Sequence, residues 1–282
     1  MKADLHMHMV LDGVDWKAAI ARHRPSPDLP FIHNALRTYR DRGFTYLRDG
    51  GDRWGVGAAA RAIAPDYGIT YRTPLAPLCL KGHYGSFIGT TYGDLKEYAH
   101  LVSGLRAKGG DFVKIMISGL MDFHRCGVLT EDPLPPDLIR ELIHIAHEEG
   151  FAVMAHANGA RTVEAAARAG VDSVEHGAYL DCDALAAMKE NGTVWVPTLS
   201  TVANLRGTGR FPEDEVQKIL RTALENVRRF AHMGGLIGCG TDAGAWSVPH
   251  GTSSEYDLLE TTLGPTADQI LTQAADTIIS RF

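Results

Sequence analysis

Two histidines one residue apart, His6 and His8 in Asp4-Leu5-His6-Met7-His8, are the first residues in the chain whose types and spacing suggest chemistry. Side chains on an extended segment alternate between faces, so residues two apart project to the same side. One strand face can then present two imidazoles to one metal ion. In a chain with 13 histidines the pair also arises by chance, and only partners further along decide between these readings.

The candidate partners are polar residues that interrupt apolar runs. Lys114 is the single charge in Phe112-Val113-Lys114-Ile115-Met116-Ile117, His156 follows the run Phe151 to Ala155, and His176 follows Val171 to Val174 in Glu175-His176-Gly177. Asp242 closes Gly240-Thr241-Asp242 after Leu236 to Cys239. Taken singly, the histidines have a plainer role as hydrogen-bonded structural residues, and Asp242 as a turn cap. Lys114 is harder to place. A charged, unpaired lysine inside a buried sheet is costly, so it must reach a carboxylate, lose its proton or be chemically altered.

The elements that position these residues follow from punctuation and periodicity. Expected helices Ile32 to Arg42, Val56 to Ala64, Leu95 to Lys108, Leu138 to Glu149, Ala160 to Ala169, Ala184 to Glu190 and Pro212 to His232 alternate with short apolar strands. Pro25, Pro27 and Pro30 are read as breakers after a helix Trp16 to His23, and Ile69 to Pro77 as one extended run. Eight strands are expected, and strands alternating with helices specify a parallel sheet with crossover helices. The reading is a single (β/α)8 TIM barrel over residues 1–282, a length close to the roughly 250 residues that fold uses. All C-terminal strand ends of such a barrel open on one face, where active sites are built. His6, His8, Lys114, His156, His176 and Asp242 therefore converge on one mouth.

Bulk properties narrow the classes. Hydrophobic residues make up 45% and charged residues 22%, the composition of a soluble globular domain. With 28 basic and 34 acidic residues the net charge is -6, and no basic block favours nucleic acid or an anionic membrane. No signal pattern or membrane-length apolar run is found, so a cytoplasmic enzyme acting on a small molecule is expected. Cys79, Cys126, Cys182 and Cys239 have no metal or redox spacing and are read as buried, reduced thiols.

As an ordered set, the His6/His8 motif, Asp111-Phe112-Val113-Lys114-Ile115-Met116, Ala155-His156-Ala157, Val174-Glu175-His176-Gly177 and Gly240-Thr241-Asp242-Ala243-Gly244 resembles the amidohydrolase superfamily. The similarity is to imidazolonepropionase-like hydrolases and metal-dependent dipeptidases, and it extends over Gly43-Phe44-Thr45, Arg48-Asp49 and His250-Gly251 to Glu255. The resemblance implies one or two divalent ions, zinc first and manganese or iron as alternatives. His6, His8 and Asp242 would hold the inner ion, His156 and His176 the outer, with Lys114 carboxylated and bridging. It implies cleavage of an amide-type C–N bond in a cyclic amide, N-acyl amino acid or dipeptide-like molecule by metal-activated hydroxide, with Asp242 moving the proton. His83, in a glycine-histidine motif, would touch substrate or stabilise the oxyanion, and an ordinary loop role is its alternative.

Two rival functions stay open: a metal-dependent decarboxylase or lyase on the same scaffold, and a ligand-binding barrel without turnover. Most relatives flank the barrel with a β-sandwich, which this chain is expected to lack; a homo-oligomeric contact could then cover the exposed flank. Arg48-Asp49 is read as a structural ion pair near the mouth rather than a catalytic pair, and Tyr84, His124 and Arg125, on loops facing the same mouth, as solvated loop residues in preference to readers of a substrate carboxylate or carbonyl. His144, His147 and His232 are assigned no chemistry. Specificity is expected in the loops Leu80 to Thr91, Leu120 to Pro136 and Ser200 to Phe211.

Overall fold

The computed structural model describes residues 2–282 and runs as alternating strands and helices. The first half contains β1 (Lys2–Met7), α1 (Trp16–His23), α2 (Leu29–Asp41), β2 (Phe44–Asp49), α3 (Val56–Ile63), β3 (Thr70–Arg72), β4 (Leu78–Leu80), β5 (Thr90–Tyr92), α4 (Leu95–Ser103) and β6 (Val113–Met116). The second half contains α5 (Pro136–Glu148), β7 (Val153–Ala157), α6 (Ala160–Arg168), β8 (Ser173–His176), α7 (Cys182–Glu190), β9 (Val194–Val196), α8 (Ser200–Ala203), α9 (Glu213–His232), β10 (Leu236–Ile237), α10 (Ser254–Leu263) and α11 (Ala267–Arg281).

The named strands pair in parallel throughout, in the orders β1-β2-β3 and β10-β9-β8-β7-β6-β4-β5. Backbone hydrogen bonds join β1 to the segment after β10: Leu5 N donates to Cys239 O at 2.9 Å, Asp242 N to His6 O at 2.7 Å and His8 N to Ala243 O at 2.7 Å. On the other side, Asp111 N donates to Thr73 O at 3.0 Å, while β4 pairs with β6. The result is a (β/α)8 barrel whose third stave is split into β3 and β4. The sequence reading has one run there. Pro74 and Pro77 lack the N–H that a continuous ladder needs, so the stave breaks between them.

Strand alternation sorts the two faces. Val113, Ile115 and Ile117 of the β6 segment pack in the layer shared with α5 and α6, and Trp195 packs edge-on against Phe230 of α9 at 5.9 Å. The intervening residues, Lys114 among them, point the other way, into the barrel. Its floor is closed by α11, whose Ala274, Ile278 and the following Phe282 pack with Leu5, Met154 and Val196. Neither α10 nor α11 is anticipated from the periodicity.

Three further expectations are corrected. Pro30 starts rather than breaks α2: Asp28 caps it by accepting from Phe31 N at 3.2 Å, and proline in a first turn sacrifices no intrahelical bond. The helix expected over Leu95 to Lys108 stops at Ser103, capped at Gly104. Of the four cysteines only Cys79 and Cys239 are buried; Cys182 is exposed on the first turn of α7, and Cys126 is intermediate.

Candidate metal centre

β1 delivers His6 and His8 through an irregular strand. Its pairing with β2 shifts register between Asp4 and Met7, and Asp4 Oδ1 accepts from His6 N at 3.3 Å. The Asp4 carboxylate also accepts from Thr241 N at 2.9 Å and Thr241 Oγ1 at 2.6 Å, tying the first motif to the last. Two glycines make room for this join. A Cβ at Gly50 would overlap the His8 ring, and one at Gly240 would lie 2.7 Å from His6 N. These glycines are set by close approach rather than by flexibility.

At the centre, His6 Nε2 lies 3.3 Å from His8 Nε2 and 3.5 Å from Asp242 Oδ1, and His8 Nε2 is 3.4 Å from the same oxygen. Asp242 reaches this position with φ 56°, a left-handed backbone uncommon for a side-chain-bearing residue. The His176 ring stands 5.0 Å from His6 and 4.6 Å from His156, centroid to centroid. Lys114 Nζ is buried and has no hydrogen-bond partner among the described residues. The structure thus brings His6, His8 and Asp242 together, with His176 and His156 extending the group outward.

The second nitrogen of three rings is held by the protein. His6 Nδ1 donates to Glu175 Oε2 at 2.8 Å, His176 Nδ1 pairs with Thr198 Oγ1 at 2.7 Å, and His156 Nε2 donates to Gly119 O at 3.2 Å. Such contacts leave the other nitrogen of each ring as a lone pair. Electrostatics keep these rings neutral. Burial lowers His8 and His156 to about 3, and holds His6 and His176 well below the usual imidazole range. Burial also brings Lys114 down to about 8, opposed by the Glu175 carboxylate, and pushes Asp242 up to about 8, opposed by Lys114.

A divalent ion fits this donor set. Ligands about 2.0–2.1 Å from a tetrahedral metal lie about 3.3–3.4 Å apart, the spacing at which His6, His8 and Asp242 stand. Neutral imidazoles and a carboxylate crowded without a cation are otherwise an unfavourable arrangement of lone pairs. Lys114 Nζ and His8 Nδ1 are further buried polar atoms with no partner among the described residues.

Arg48 and Asp49 do not pair with each other. Adjacent strand residues face opposite ways: Arg48 turns into the barrel, where it donates to Leu5 O at 2.7 Å, Ser173 Oγ at 2.8 Å and Glu175 Oε1 at 2.8 Å. Asp49 turns outward and accepts from Thr73 Oγ1 at 3.1 Å. Glu175, absent from the sequence reading as a site residue, therefore joins Arg48 to His6. Its position next to His176 at a strand end was the available signal. Tyr84 is likewise not a solvated loop residue; its ring packs on His156 at 4.8 Å. His83 lies beside it, 3.5 Å from Glu131 Oε1. His124 is exposed and stands 5.0 Å from the Phe211 ring, and His147 pairs with Asp172 at 2.9 Å.

A family model described as the amidohydrolase family matches residues 43–275. The chain belongs to the amidohydrolase family. An uncharacterized protein of Mycobacterium tuberculosis is 31% identical over 141 residues, 48% of this chain and 38% of that protein. Ochratoxinase of Aspergillus niger is 27% identical over 146 residues, again 48% of this chain but 29% of its own length. The matched region is thus well under half of either relative. Across the fold, this amidohydrolase chain superposes on a Xaa-Pro dipeptidase with bound methionine in the active site, with TM-score 0.76 and 23% identity over 99% of this chain and 75% of that one. The A. niger ochratoxinase structure gives TM-score 0.72 at 19% identity, covering 99% of this chain and 69% of that one. Among the described residues no helix is long and apolar enough to cross a membrane.

Proposed function

We propose that this amidohydrolase is a metal-dependent hydrolase of an amide-type C–N bond in a small molecule such as a dipeptide, N-acyl amino acid or cyclic amide. The observation that carries the reading is the meeting of His6 Nε2, His8 Nε2 and Asp242 Oδ1 within 3.5 Å of one another. His6, His8 and Asp242 would hold an inner ion and His156 and His176 an outer one, zinc being the first candidate and manganese or iron the alternatives. Lys114, as its carbamate, would serve both. Carbamate formation would consume a neutral amine and carbon dioxide and release a proton, giving Lys114 an anionic carboxylate able to serve as a metal ligand. When bound, such ions polarise a carbonyl and lower the pKa of water toward neutrality.

The chain's own groups do the rest. Asp242, at the mouth with its carboxylate partly reachable, accepts the proton of the attacking water and returns it to the leaving nitrogen. Glu175 fixes the His6 ring and Thr198 the His176 ring, so the donor atoms need no reorganisation during turnover. His83, beside the mouth, is assigned to the substrate or the oxyanion.

Turnover of Xaa-Pro dipeptides and N-acyl amino acids should be lost on dialysis against a chelator and restored by zinc or manganese. Asp242→Asn should keep part of the bound metal while kcat falls by about 100-fold or more. Full activity in that variant, or in chelator-treated protein, would remove the reading.

A further inference from the structure

An aromatic file leads from the metal-site histidines to the surface. The Tyr84 ring lies 4.8 Å from His156, Phe87 lies 5.7 Å from Tyr84, and Trp16 meets Phe87 edge-on at 5.3 Å. Two separate segments build it: Trp16 opens α1 after β1, and Tyr84 and Phe87 lie in the loop after β4. We propose that this wall is a substrate subsite that receives a bulky aromatic or apolar side chain next to the scissile amide. The proposal rests on the hydrolase reading above and adds the class of substrate to it.

Three observations carry it. First, the file is continuous with the site: its inner member touches a candidate ligand, so a group lying along the wall is placed beside the reacting atoms. Second, its outer end is open. Trp16 keeps 48% of its surface exposed and Val14, two residues before it, 74%, although burying such side chains is favourable. Of the exposed large apolar residues, Val14 and Leu120 sit on loops that leave the C-terminal ends of β1 and β6, and Trp16 opens α1 directly after the first of these loops. Apolar surface gathered at a catalytic mouth is what a ligand would cover.

Third, the wall is rigid. Tyr84 N donates to Glu131 Oε1 at 2.8 Å, Ile88 N and Gly89 N both donate to Gly85 O, and Arg53 N donates to Ile88 O. Gly85 adopts φ +103°, and a Cβ there would stand 2.6 Å from Met116 Cγ, so the loop is seated directly on the end of β6. A surface held this way is preorganised for recognition rather than collapsed for want of a partner. The Tyr84 hydroxyl has no hydrogen-bond partner among the described residues, so it can donate to a polar atom of the bound amide.

The test compares N-acetyl-L-phenylalanine with N-acetyl-L-alanine by calorimetry on metal-loaded protein carrying Asp242→Asn, which leaves the probes unconsumed, with the wild-type wall, Trp16→Ala or Phe87→Ala; hydrolysis is followed separately with Asp242 intact. The wild-type wall should bind the aromatic probe about tenfold more tightly, the effect of burying one such ring. Either substitution should bring that ratio below about threefold, with melting temperature and metal content unchanged. Equal binding of the two probes, binding of neither, or an undiminished ratio in both variants would overturn the proposal. Discrimination without hydrolysis of any amide would uphold the subsite and instead count against the hydrolase reading.

Discussion

Glu175 divides its two oxygens between the candidate metal ligand His6 and the barrel interior. Oε2 accepts from His6 Nδ1, and Oε1 accepts from Arg48 at 2.8 Å and Ser173 at 2.6 Å, all without solvent contact. A proton on His6 Nδ1 leaves Nε2 as the lone pair that faces His8 and Asp242. Glutamine would retain one acceptor and lose the charge that balances Arg48. Glu175→Gln should therefore weaken divalent-metal affinity by about 10- to 100-fold, as read by competition with a chelating dye. An unchanged affinity would show that the ring is oriented without it. Lys114→Ala should leave the fold intact, because Nζ has no hydrogen-bond partner among the described residues to lose, while reducing bound metal. A variant with undiminished metal would remove Lys114 from the ligand set.

The elements hold the site by ties that run between distant loops. Glu255 of α10 is buried and accepts from Leu199 N at 2.9 Å, Ser200 N at 2.7 Å and Ser200 Oγ at 2.9 Å, pinning the loop after β9 that also carries Thr198. Glu255→Ala leaves the buried Leu199 and Ser200 amides unpaired, Ser200 Oγ keeping Ser254 Oγ at 2.9 Å, and should destabilise the fold by about 2–4 kcal/mol in urea unfolding. A loss under about 0.5 kcal/mol would mean that water replaces the carboxylate. Such ties were hardly legible in the sequence. The strand ends were, because Lys114, His156 and Asp242 interrupt apolar runs and period-two alternation turns each into a position. Arg48, Glu175 and Tyr84 were misplaced or missed for the converse reason: their partners lie in other strands and loops, and nothing local to them names those partners. The split third stave and the two terminal helices escaped the same way, since short segments acquire their conformation from what they pack against.

The whole molecule stores several acidic groups out of water. Asp49 is pushed up to about 7, chiefly by burial and then by the Asp52 charge, and Glu255 up to about 7 by burial. Their ordinary values are 3.8 and 4.5, so the folded state holds these protons more tightly than the unfolded chain. The stability this contributes is complete below about pH 4 and is lost as pH rises through about 7. The buried neutral histidines act in the opposite sense over the same interval, so the test is a difference: in metal-free protein, the melting temperature of Asp49→Asn relative to wild type should rise from pH 5 to pH 8. Parallel wild-type and Asp49→Asn profiles over that interval would contradict this contribution. The barrel itself was readable from alternation alone, and family membership agrees with it; the identity of the substrate was not, because the mouth is formed by loops whose shapes no periodicity records. At the centre of the account stand His6, His8 and Asp242 as a metal site. Elemental analysis of protein purified from zinc- or manganese-supplemented culture tests that most directly. The expected result is one to two equivalents of divalent metal per chain, falling by at least half in His6→Asn and His8→Asn; protein that holds no divalent metal, or variants that hold as much as wild type, would contradict it.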